Sequence, residues 1–298
     1  MLEGKIIKGI AGFYYVKVQG NVVYECRARG IFRKNNIVPL IGDMVKIDVL
    51  DDKNHKGSVV EILSRKNQLT RPTVSNIDQA IIVFALTSPE PSKNLLDRFL
   101  ILAEEQDVEV IICFNKVDMI TNYKENNIVK IYKEAGYEVI LTSTLTGAGI
   151  NELASKLENK TTVFAGPSGV GKSSLLNALN SNLKLLTGEI SEKIQRGKHT
   201  TRHVELLTIE NDGYVVDTPG FSSLYLEHIR SSELSWYFKE FELYSGMCRF
   251  KGCSHIHEPN CFVKQALAEG KIAKERYKNY ILIYNELKDT EDRHKWRR

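Results

Sequence analysis

A glycine-rich run in the middle of the chain fits the phosphate-binding pattern G-x-x-x-x-G-K-[ST]. Its residues are Gly166, Pro167, Ser168, Gly169, Val170, Gly171, Lys172 and Ser173. The run follows a predicted strand and opens a predicted helix, so backbone N–H groups and the positive helix end can converge on phosphate oxygens. We expect Lys172 to contact the β- and γ-phosphates of a nucleotide and the Ser173 hydroxyl to bind Mg²⁺.

The tetrapeptide Asn115-Lys116-Val117-Asp118 looks like the guanine-specificity motif of GTPases. The Asp118 carboxylate accepts two hydrogen bonds side by side, which matches the N1–H and N2–H₂ donors of guanine. Adenine has an acceptor at N1 and would leave this carboxylate unpaired, so the motif disfavours ATP. Ser143, after the next predicted strand, is expected to lie in a second loop that contacts the base. These motifs predict GTP as the substrate and GDP as the product.

Two further segments resemble nucleotide-dependent switches. The D-x-x-G sequence that begins at Asp217 and ends at Gly220 follows a predicted strand. In such an element, the aspartate holds Mg²⁺ through water and the glycine senses the γ-phosphate. The polar stretch 197–202 contains Thr200 and Thr201, either of which can complete the Mg²⁺ shell. Thr201 is the preferred candidate.

The order of these motifs differs from that of ordinary GTPases, which carry the phosphate loop first and the base motif after the switches. Here the base motif at 115 and the serine loop at 143 precede the phosphate loop at 166. The termini of a doubly wound domain lie near each other, so joining them and cutting elsewhere can preserve the packing. The predicted helix 151–157 is the new join. The sequence therefore predicts a circularly permuted P-loop GTPase domain.

The elements before this domain are predicted to form a small barrel. Residues 5–63 contain five short strand-like runs without helical periodicity, as in an OB-type β-barrel. The loop 30–36 places basic residues beside Phe32, a combination suited to phosphates and stacked bases. The alternative is that Phe32 caps the barrel and the lysines are solvated. Residues 65–72 are predicted to be a linker.

From residue 78 onward, apolar strands alternate with amphipathic helices, which predicts an α/β architecture with a parallel, doubly wound sheet. Residues 204–209 and 213–216 are predicted to pair as a hairpin. Beyond residue 223 the pattern is helical, with predicted helices at 231–241 and from about 262 to 287. A cluster of three cysteines and two histidines lies between these helices, and in a reducing compartment it indicates a metal site more than disulfides.

The bulk composition sets limits on location and partners. With 42% hydrophobic and 26% charged residues, without an apolar run long enough to span a bilayer and without a signal peptide, the chain is expected to be cytoplasmic and not membrane-bound. Nothing in it requires more than a monomer. Residues 1–72 carry 13 Lys and Arg against 7 Asp and Glu, and residues 224–298 carry 14 against 11, whereas residues 73–223 carry 14 against 19. A polyanion would therefore meet the basic ends, although a mild basic excess can also serve solubility alone.

The permuted order, the Gly-Lys-His-Thr-Thr-Arg stretch and the downstream cysteines resemble the RsgA/YjeQ family of GTPases that depend on the small ribosomal subunit. The resemblance covers nearly the whole chain. It implies an OB domain at 1–68, a circularly permuted GTPase domain at 71–223 and a helical zinc-binding domain at 224–298. It also implies binding to the small ribosomal subunit and its ribosomal RNA, with hydrolysis stimulated by the subunit.

The resemblance carries over to individual residues. It implies that the phosphate loop extends to Ser174 and that one structural Zn²⁺ is bound by four residues: Cys248, Cys253, His255 and Cys261. Three thiolates and one imidazole suit a closed tetrahedral site. His257 is a competing candidate for the imidazole ligand.

One local departure bears on the mechanism. Phe221 stands where many GTPases place a glutamine that orients the attacking water, and its ring can neither donate nor accept a hydrogen bond. Slow intrinsic turnover is therefore expected. We hypothesise that His199 positions the water when the ribosome holds its segment; the alternatives are that His199 contacts RNA or solvent.

The leading interpretation is a GTP hydrolase that acts as a late assembly factor for the small ribosomal subunit. One alternative is an RNA-binding module that GTP controls and in which hydrolysis is incidental. Another is a signalling GTPase with a protein effector, whose binding would depend less on salt than binding to RNA phosphates.

Overall fold

The computed structural model describes residues 1–34, 37–70, 73–180, 205–209, 212–217, 226 and 228–295. Two compact units make up the chain. One is formed by Met1–Ala80, Asn151–Ala165 and Ser173–Ser222, and the other by Ile81–Ile150, Gly166–Lys172 and Ser223–Arg298. Each unit contains segments that are far apart in sequence, so long-range contacts build both of them. Among the described residues, no helix combines the length and the apolar character needed to cross a bilayer.

The described residues form thirteen strands and eight α-helices, numbered in chain order. They are β1 (Leu2–Ile10), β2 (Phe13–Val18), β3 (Val23–Ala28), α1 (Gly30–Lys34), β4 (Met44–Asp51), β5 (Lys56–Ile62), β6 (Gln68–Thr70), β7 (Thr73–Ser75), β8 (Gln79–Ala85), α2 (Lys93–Glu105), β9 (Glu109–Asn115), α3 (Asn127–Glu134), β10 (Glu138–Leu141), α4 (Ile150–Leu157), β11 (Thr161–Ala165), α5 (Lys172–Leu179), β12 (Glu205–Thr208), β13 (Tyr214–Asp217), α6 (Lys239–Ser245), α7 (Phe262–Ala268) and α8 (Lys274–Lys295).

The first five strands close a barrel, as the sequence predicts. β1 pairs with β2 and with β4, β3 pairs with β2 and with β5, and β4 pairs with β5, so no strand of this set is left with a free edge. Alternate side chains point inward and fill the interior, among them Ile6, Val16 and Ile47, each with 0% exposure. Phe32 is also buried in this core, in agreement with the capping alternative. It lies on the short helix α1, in the segment that was predicted to be a loop.

The segment after the barrel is not a free linker, contrary to the prediction. β6 and β7 pair as a hairpin, and a buried carboxylate, Asp43, fixes this hairpin to the barrel. Asp43 accepts hydrogen bonds from Arg65 Nε at 2.7 Å, from Arg65 Nη2 at 2.9 Å and from Ser75 Oγ at 2.6 Å. Gly42 faces the same hairpin, and a Cβ atom there would lie 2.1 Å from the Ser75 carbonyl oxygen. A buried charge requires such partners, and the sequence does not reveal which residues supply them.

The remaining strands of the first unit extend the barrel into a larger sheet. β11 and β13 are parallel, β12 and β13 form the predicted antiparallel hairpin, and β12 pairs with β1 of the barrel. The strand order in this unit is β11-β13-β12-β1-β2-β3-β5-β4. In the second unit the order is β10-β9-β8, with β9 and β10 parallel as expected for a doubly wound domain.

The C-terminal helices differ from their predictions in two places. The predicted helix 231–241 is a 3-10 helix (Ser231–Tyr237) followed by α6, because Phe238 adopts an extended backbone conformation and buries its ring. The predicted long helix that starts at residue 262 is divided into α7 and α8, with Gly270 between them at a φ of +73°. Apolar periodicity continues across both breaks, so the pattern alone does not locate them.

Candidate nucleotide and metal sites

The base motif lies directly after β9 in a strained turn. Lys116 has a φ of +62°, a left-handed conformation that few non-glycine residues adopt, and Val117–Met119 form a 3-10 helix that leaves Asp118 exposed. The hydroxyl of buried Ser143 donates a hydrogen bond to Asp118 Oδ1. The same hydroxyl accepts hydrogen bonds from the backbone N–H groups of Leu145 and Thr146, both at 3.2 Å. Ser143 therefore orients the Asp118 carboxylate, and the predicted base loop lies beside the base motif.

Two side chains of the base motif contact the phosphate loop. Asn115 is 1% exposed, and its Nδ2 donates to the carbonyl of Val170 at 2.9 Å. Its Oδ1 accepts a hydrogen bond of 3.1 Å from Thr142 Oγ1. Lys116 Nζ donates to the carbonyl of Gly169 at 2.8 Å and to that of Ser88 at 2.6 Å. The fold thus brings the base motif and the phosphate loop together despite their reversed order in the sequence.

Two glycines of the phosphate loop, Gly166 and Gly171, stand where no side chain fits. A Cβ atom at Gly171 would lie 2.4 Å from Asn115 Nδ2, and one at Gly166 would lie 2.1 Å from the carbonyl oxygen of Val83. Both residues also have positive φ values, +96° and +139°. The loop backbone is therefore packed against its neighbours in a conformation that glycine permits, as in loops whose backbone N–H groups converge on a phosphate.

Lys172 begins α5 directly after this loop, and Ser173 and Ser174 lie in the first turn of the helix. Lys172 Nζ donates to the carbonyls of Gly166 at 2.8 Å and Pro167 at 2.6 Å. Burial lowers the pKa of the Lys172 amine. A cation held at the loop by backbone carbonyls can exchange them for the stronger acceptors of a phosphate group.

Of the predicted switch residues, the structure describes only the backbone of Asp217. Asp217 is the last residue of β13, and its backbone pairs in register with Glu205 of β12. Its side chain lies outside the described residues. Four further predicted residues, together with Phe221, also lie outside them: His199, Thr200, Thr201 and Gly220.

The cysteine cluster converges on one point in the second unit. The ligand atoms of Cys248, Cys253, His255 and Cys261 all lie within 4.8 Å of one another. His255 Nδ1 lies 3.3 Å from Cys261 Sγ and 3.7 Å from Cys248 Sγ, and the latter two sulfurs are 3.9 Å apart. A tetrahedral zinc ion with Zn–S bonds of about 2.3 Å spaces its donors by about 3.8 Å. The donor set and its spacing therefore fit zinc, and His257 is exposed and does not belong to the group.

The loop that carries His255 is held from two sides. Tyr277 and Tyr280 of α8 donate hydroxyl hydrogen bonds of 2.7 Å to the carbonyls of His255 and Ser254. Glu258 accepts from the Ser254 backbone N–H at 2.8 Å. Although burial opposes it, this bond and others from the loop lower the pKa of Glu258 to about 2. Burial lowers the pKa of His255, which favours the neutral imidazole that a metal requires.

A buried charged network on α8, which sequence reasoning missed, joins the cysteine region to α2. Arg276 is 1% exposed and donates to Asp97 Oδ1 at 2.6 Å. It also forms two parallel bonds, of 2.7 and 2.8 Å, to the carboxylate of Glu240 on α6. Tyr132 Oη also donates to Asp97 Oδ1, and Asn279 Nδ2 donates to Asp97 Oδ2. The sequence offers one clue, the acidic residue Asp97 inside the apolar stretch of α2. This clue does not indicate that Arg276 is its partner.

Comparison with known proteins agrees with this arrangement. A family model described as RsgA GTPase matches residues 62–227, and one described as RsgA N-terminal domain matches residues 3–59. The small ribosomal subunit biogenesis GTPase RsgA of Agathobacter rectalis is 54% identical, with 97% of this chain and 99% of that protein covered. The protein of the same name from Alkaliphilus metalliredigens is 52% identical, with 97% and 98% covered.

Two solved structures share the fold over nearly the whole chain. YjeQ from Thermotoga maritima is 38% identical with a TM-score of 0.84, covering 96% of this chain and 98% of that one. YloQ, described as a circularly permuted GTPase, is 42% identical with a TM-score of 0.81, covering 97% and 96%. The matches extend across the barrel, the nucleotide site and the cysteine cluster. The chain therefore belongs to the RsgA family of circularly permuted GTPases.

Proposed function

We propose that this protein hydrolyses GTP as a late assembly factor for the small ribosomal subunit, and that the subunit stimulates hydrolysis. The observation that carries the proposal is the pair of contacts from Asn115 to Val170 and from Lys116 to Gly169, because they join a guanine motif and a phosphate loop into one nucleotide site. The name of its relatives, small ribosomal subunit biogenesis GTPase, indicates the ribosomal partner.

The proposed roles of the residues follow from their chemistry. Asp118 accepts hydrogen bonds from the guanine edge, and Lys172 binds the phosphates together with the backbone N–H groups of residues 166–174, of which only Pro167 has none. Ser173, Asp217 and Thr201 would hold Mg²⁺, which supplies charge neutralisation at the phosphates when it is bound.

Three domains are proposed, with boundaries at 1–68, 71–223 and 224–298. The first and last carry the basic excess and would bind ribosomal RNA, and Cys248, Cys253, His255 and Cys261 would bind a structural zinc. We propose that the protein works as a monomer in the cytoplasm, where the subunit is assembled.

GTP turnover with and without purified small subunits tests the proposal. We expect small subunits to raise turnover at least about tenfold, since a partner-held segment would supply the water positioning that Phe221 cannot. The stimulation should fall steeply between about 50 and 200 mM salt, because neutralised RNA phosphates release counterions when the protein binds. A Lys172→Ala variant controls for contaminating hydrolases.

Two results would contradict parts of the proposal. Salt-dependent binding to subunits without any rise in turnover would favour an RNA-binding module in which hydrolysis is incidental. Absence of both binding and stimulation would remove the ribosomal partner.

Metal analysis of cysteine variants tests the proposed zinc site. The purified chain should contain about one zinc ion per molecule, and Cys261→Ala should lose it, because three ligands hold a structural zinc poorly. Two matched variants should retain the metal: Cys26→Ala, a buried cysteine of the barrel, and His257→Ala, the neighbouring exposed histidine. Zinc loss in His257→Ala with retention in His255→Ala would reverse the ligand assignment.

A further inference from the structure

Two adjoining cavities lie beside the turn between β1 and β2, within the segment Met1–Ala80 of the first unit. The larger cavity has a volume of about 300 Å³ and is lined mainly by residues 9–14 and 39–41. The smaller has a volume of about 150 Å³ and is lined mainly by Ala28, Arg29, Phe32 and residues 37–39. The two cavities adjoin because three residues border both of them: Gly12, Tyr14 and Pro39.

Hydrogen bonds fix the wall of the smaller cavity. Ile37 and Val38 are apolar but 43% and 63% exposed. The Ile37 N–H donates to the carbonyl of Phe32 at 2.9 Å, and the carbonyl of Val38 accepts a bond of 2.8 Å from Arg65 Nη2. Arg65 is itself bound to the buried carboxylate of Asp43. Two exposed apolar residues are therefore held at the edge of the cavity, which is formed before any ligand binds.

The size and the lining of the smaller cavity indicate what it can hold. Of the described residues that line it, only Arg29 carries a charge, and the aromatic residues Tyr14 and Phe32 are among the others. An apolar cavity of about 150 Å³ is large enough to bind one benzene ring. The smaller cavity therefore has room for one six-membered ring and is too small to enclose the fused rings of a purine.

The charges around the cavities favour a ligand that carries negative charge beside its ring. Residues 26–42 contain four Lys and Arg and no Asp or Glu. Arg27 and Lys34 are exposed, and the Arg27 guanidinium lies 4.5 Å from the ring centroid of Phe13, which lines the larger cavity. Arg29 is paired with Asp48 of β4. Cations beside aromatic rings are the combination with which proteins bind the phosphates and unstacked bases of single-stranded nucleic acids.

We propose that the smaller cavity binds one unpaired pyrimidine base of a single-stranded RNA segment, while the phosphates of that strand contact the exposed cations at 27–34. The inference rests on the proposed function, since it takes RNA as the partner of the barrel, and it adds the kind of nucleotide and the place where the base binds. The larger cavity adjoins this place and is open to a neighbouring nucleotide of the same strand. Phe32 contributes to the floor of the site and does not stack on bases at the surface.

Binding of fluorescent octa-uridylate and octa-adenylate to the full chain, at about 50 mM salt, tests the proposal. The unmodified chain should bind the uridylate more tightly. Ala28→Leu adds side-chain atoms where the cavity is, and it should weaken uridylate binding at least about fivefold, the lower end of what one stacked base contributes. Adenylate, which binds through its phosphates but not through this cavity, should change less than about twofold.

A second pair of variants tests the cavity by charge. Val38→Asp places a carboxylate at the edge of the smaller cavity, and Leu50→Asp makes the same change of net charge at a residue of β4 that lines neither cavity. Both positions are largely exposed, at 63% and 72%, so the two variants should unfold at temperatures close to that of the unmodified chain. Val38→Asp should weaken uridylate binding at least about fivefold more than Leu50→Asp does. This pair keeps the test available if Ala28→Leu folds poorly.

Several results would overturn the proposal. These are no binding of either oligonucleotide to the unmodified chain, unchanged uridylate binding in Ala28→Leu and Val38→Asp, and equal weakening of both oligonucleotides by Ala28→Leu. If the variants bind the oligonucleotides normally but bind small subunits more weakly, the cavity holds a protein side chain and not a base. In all of these cases subunit-stimulated GTP turnover can persist, and the proposed function then stands. Loss of uridylate binding in the variants without any such stimulation in the unmodified chain would have the opposite meaning.

Discussion

Asp118→Asn should weaken GTP binding by about 10²- to 10⁴-fold and create affinity for xanthosine triphosphate. The carboxylate accepts hydrogen bonds from both N1–H and N2–H₂ of guanine, and each bond to a charged acceptor contributes about 1.5–3 kcal/mol. An asparagine keeps one acceptor for N1–H but turns its amide donors toward the guanine amino group, which is also a donor. Xanthine has a carbonyl at that position and accepts from the amide.

Binding of fluorescent GTP, xanthosine triphosphate and ATP to both chains measures the change. Asp107→Asn is the matched control, because it makes the same substitution at an exposed aspartate just before β9 and should leave all three affinities as they were. Ser143, which donates to Asp118, can donate equally to the amide oxygen, so the loop should remain in place. Equal affinity of the unmodified chain for GTP and ATP would contradict the assignment of Asp118 to the base.

Arg276→Met should lower the free energy of unfolding by about 3–5 kcal/mol, because it leaves the buried carboxylates of Asp97 and Glu240 without their cation. Both carboxylates come from helices that α8 joins, so the loss would affect α2 and the cysteine region together. Denaturant titration of the variant provides the measurement, provided that the transition is cooperative.

Two further variants separate the buried network from ordinary ion pairing. Arg98 also joins α2 to α8, through Glu286, but Glu286 is 51% exposed, so Arg98→Met should cost at most about 1 kcal/mol. Replacing the whole group by apolar residues, as in Arg276→Met/Asp97→Leu/Glu240→Leu, should recover most of the loss, since no buried charge is then left unpaired. A triple variant as unstable as Arg276→Met would show that packing around Arg276, rather than charge, makes the contribution.

The sequence by itself determined the chemistry of the nucleotide site and its permuted order. The glycines at 166–171 and the lysine after them specify a phosphate loop, because the glycines let the backbone approach a phosphate and the lysine contacts it. Asp118 specifies guanine through its two acceptor oxygens. The five strands of the barrel were predicted within residues 5–63, because alternation of buried and exposed side chains is a local property of a strand. The hairpin of β12 and β13 was predicted for the same reason.

Only the tertiary structure decided which residues meet. Asn115 contacts Val170, and Arg276 contacts Asp97, across 55 and 179 positions of sequence. Likewise, the fold rather than the spacing brings His255, and not His257, to the three cysteines. Asp43 converts a predicted linker into a fixed hairpin through partners on both sides of it. Such pairs leave no periodic pattern, because a buried polar group needs only one partner of the right chemistry, and the folded chain can bring it from any distance along the sequence.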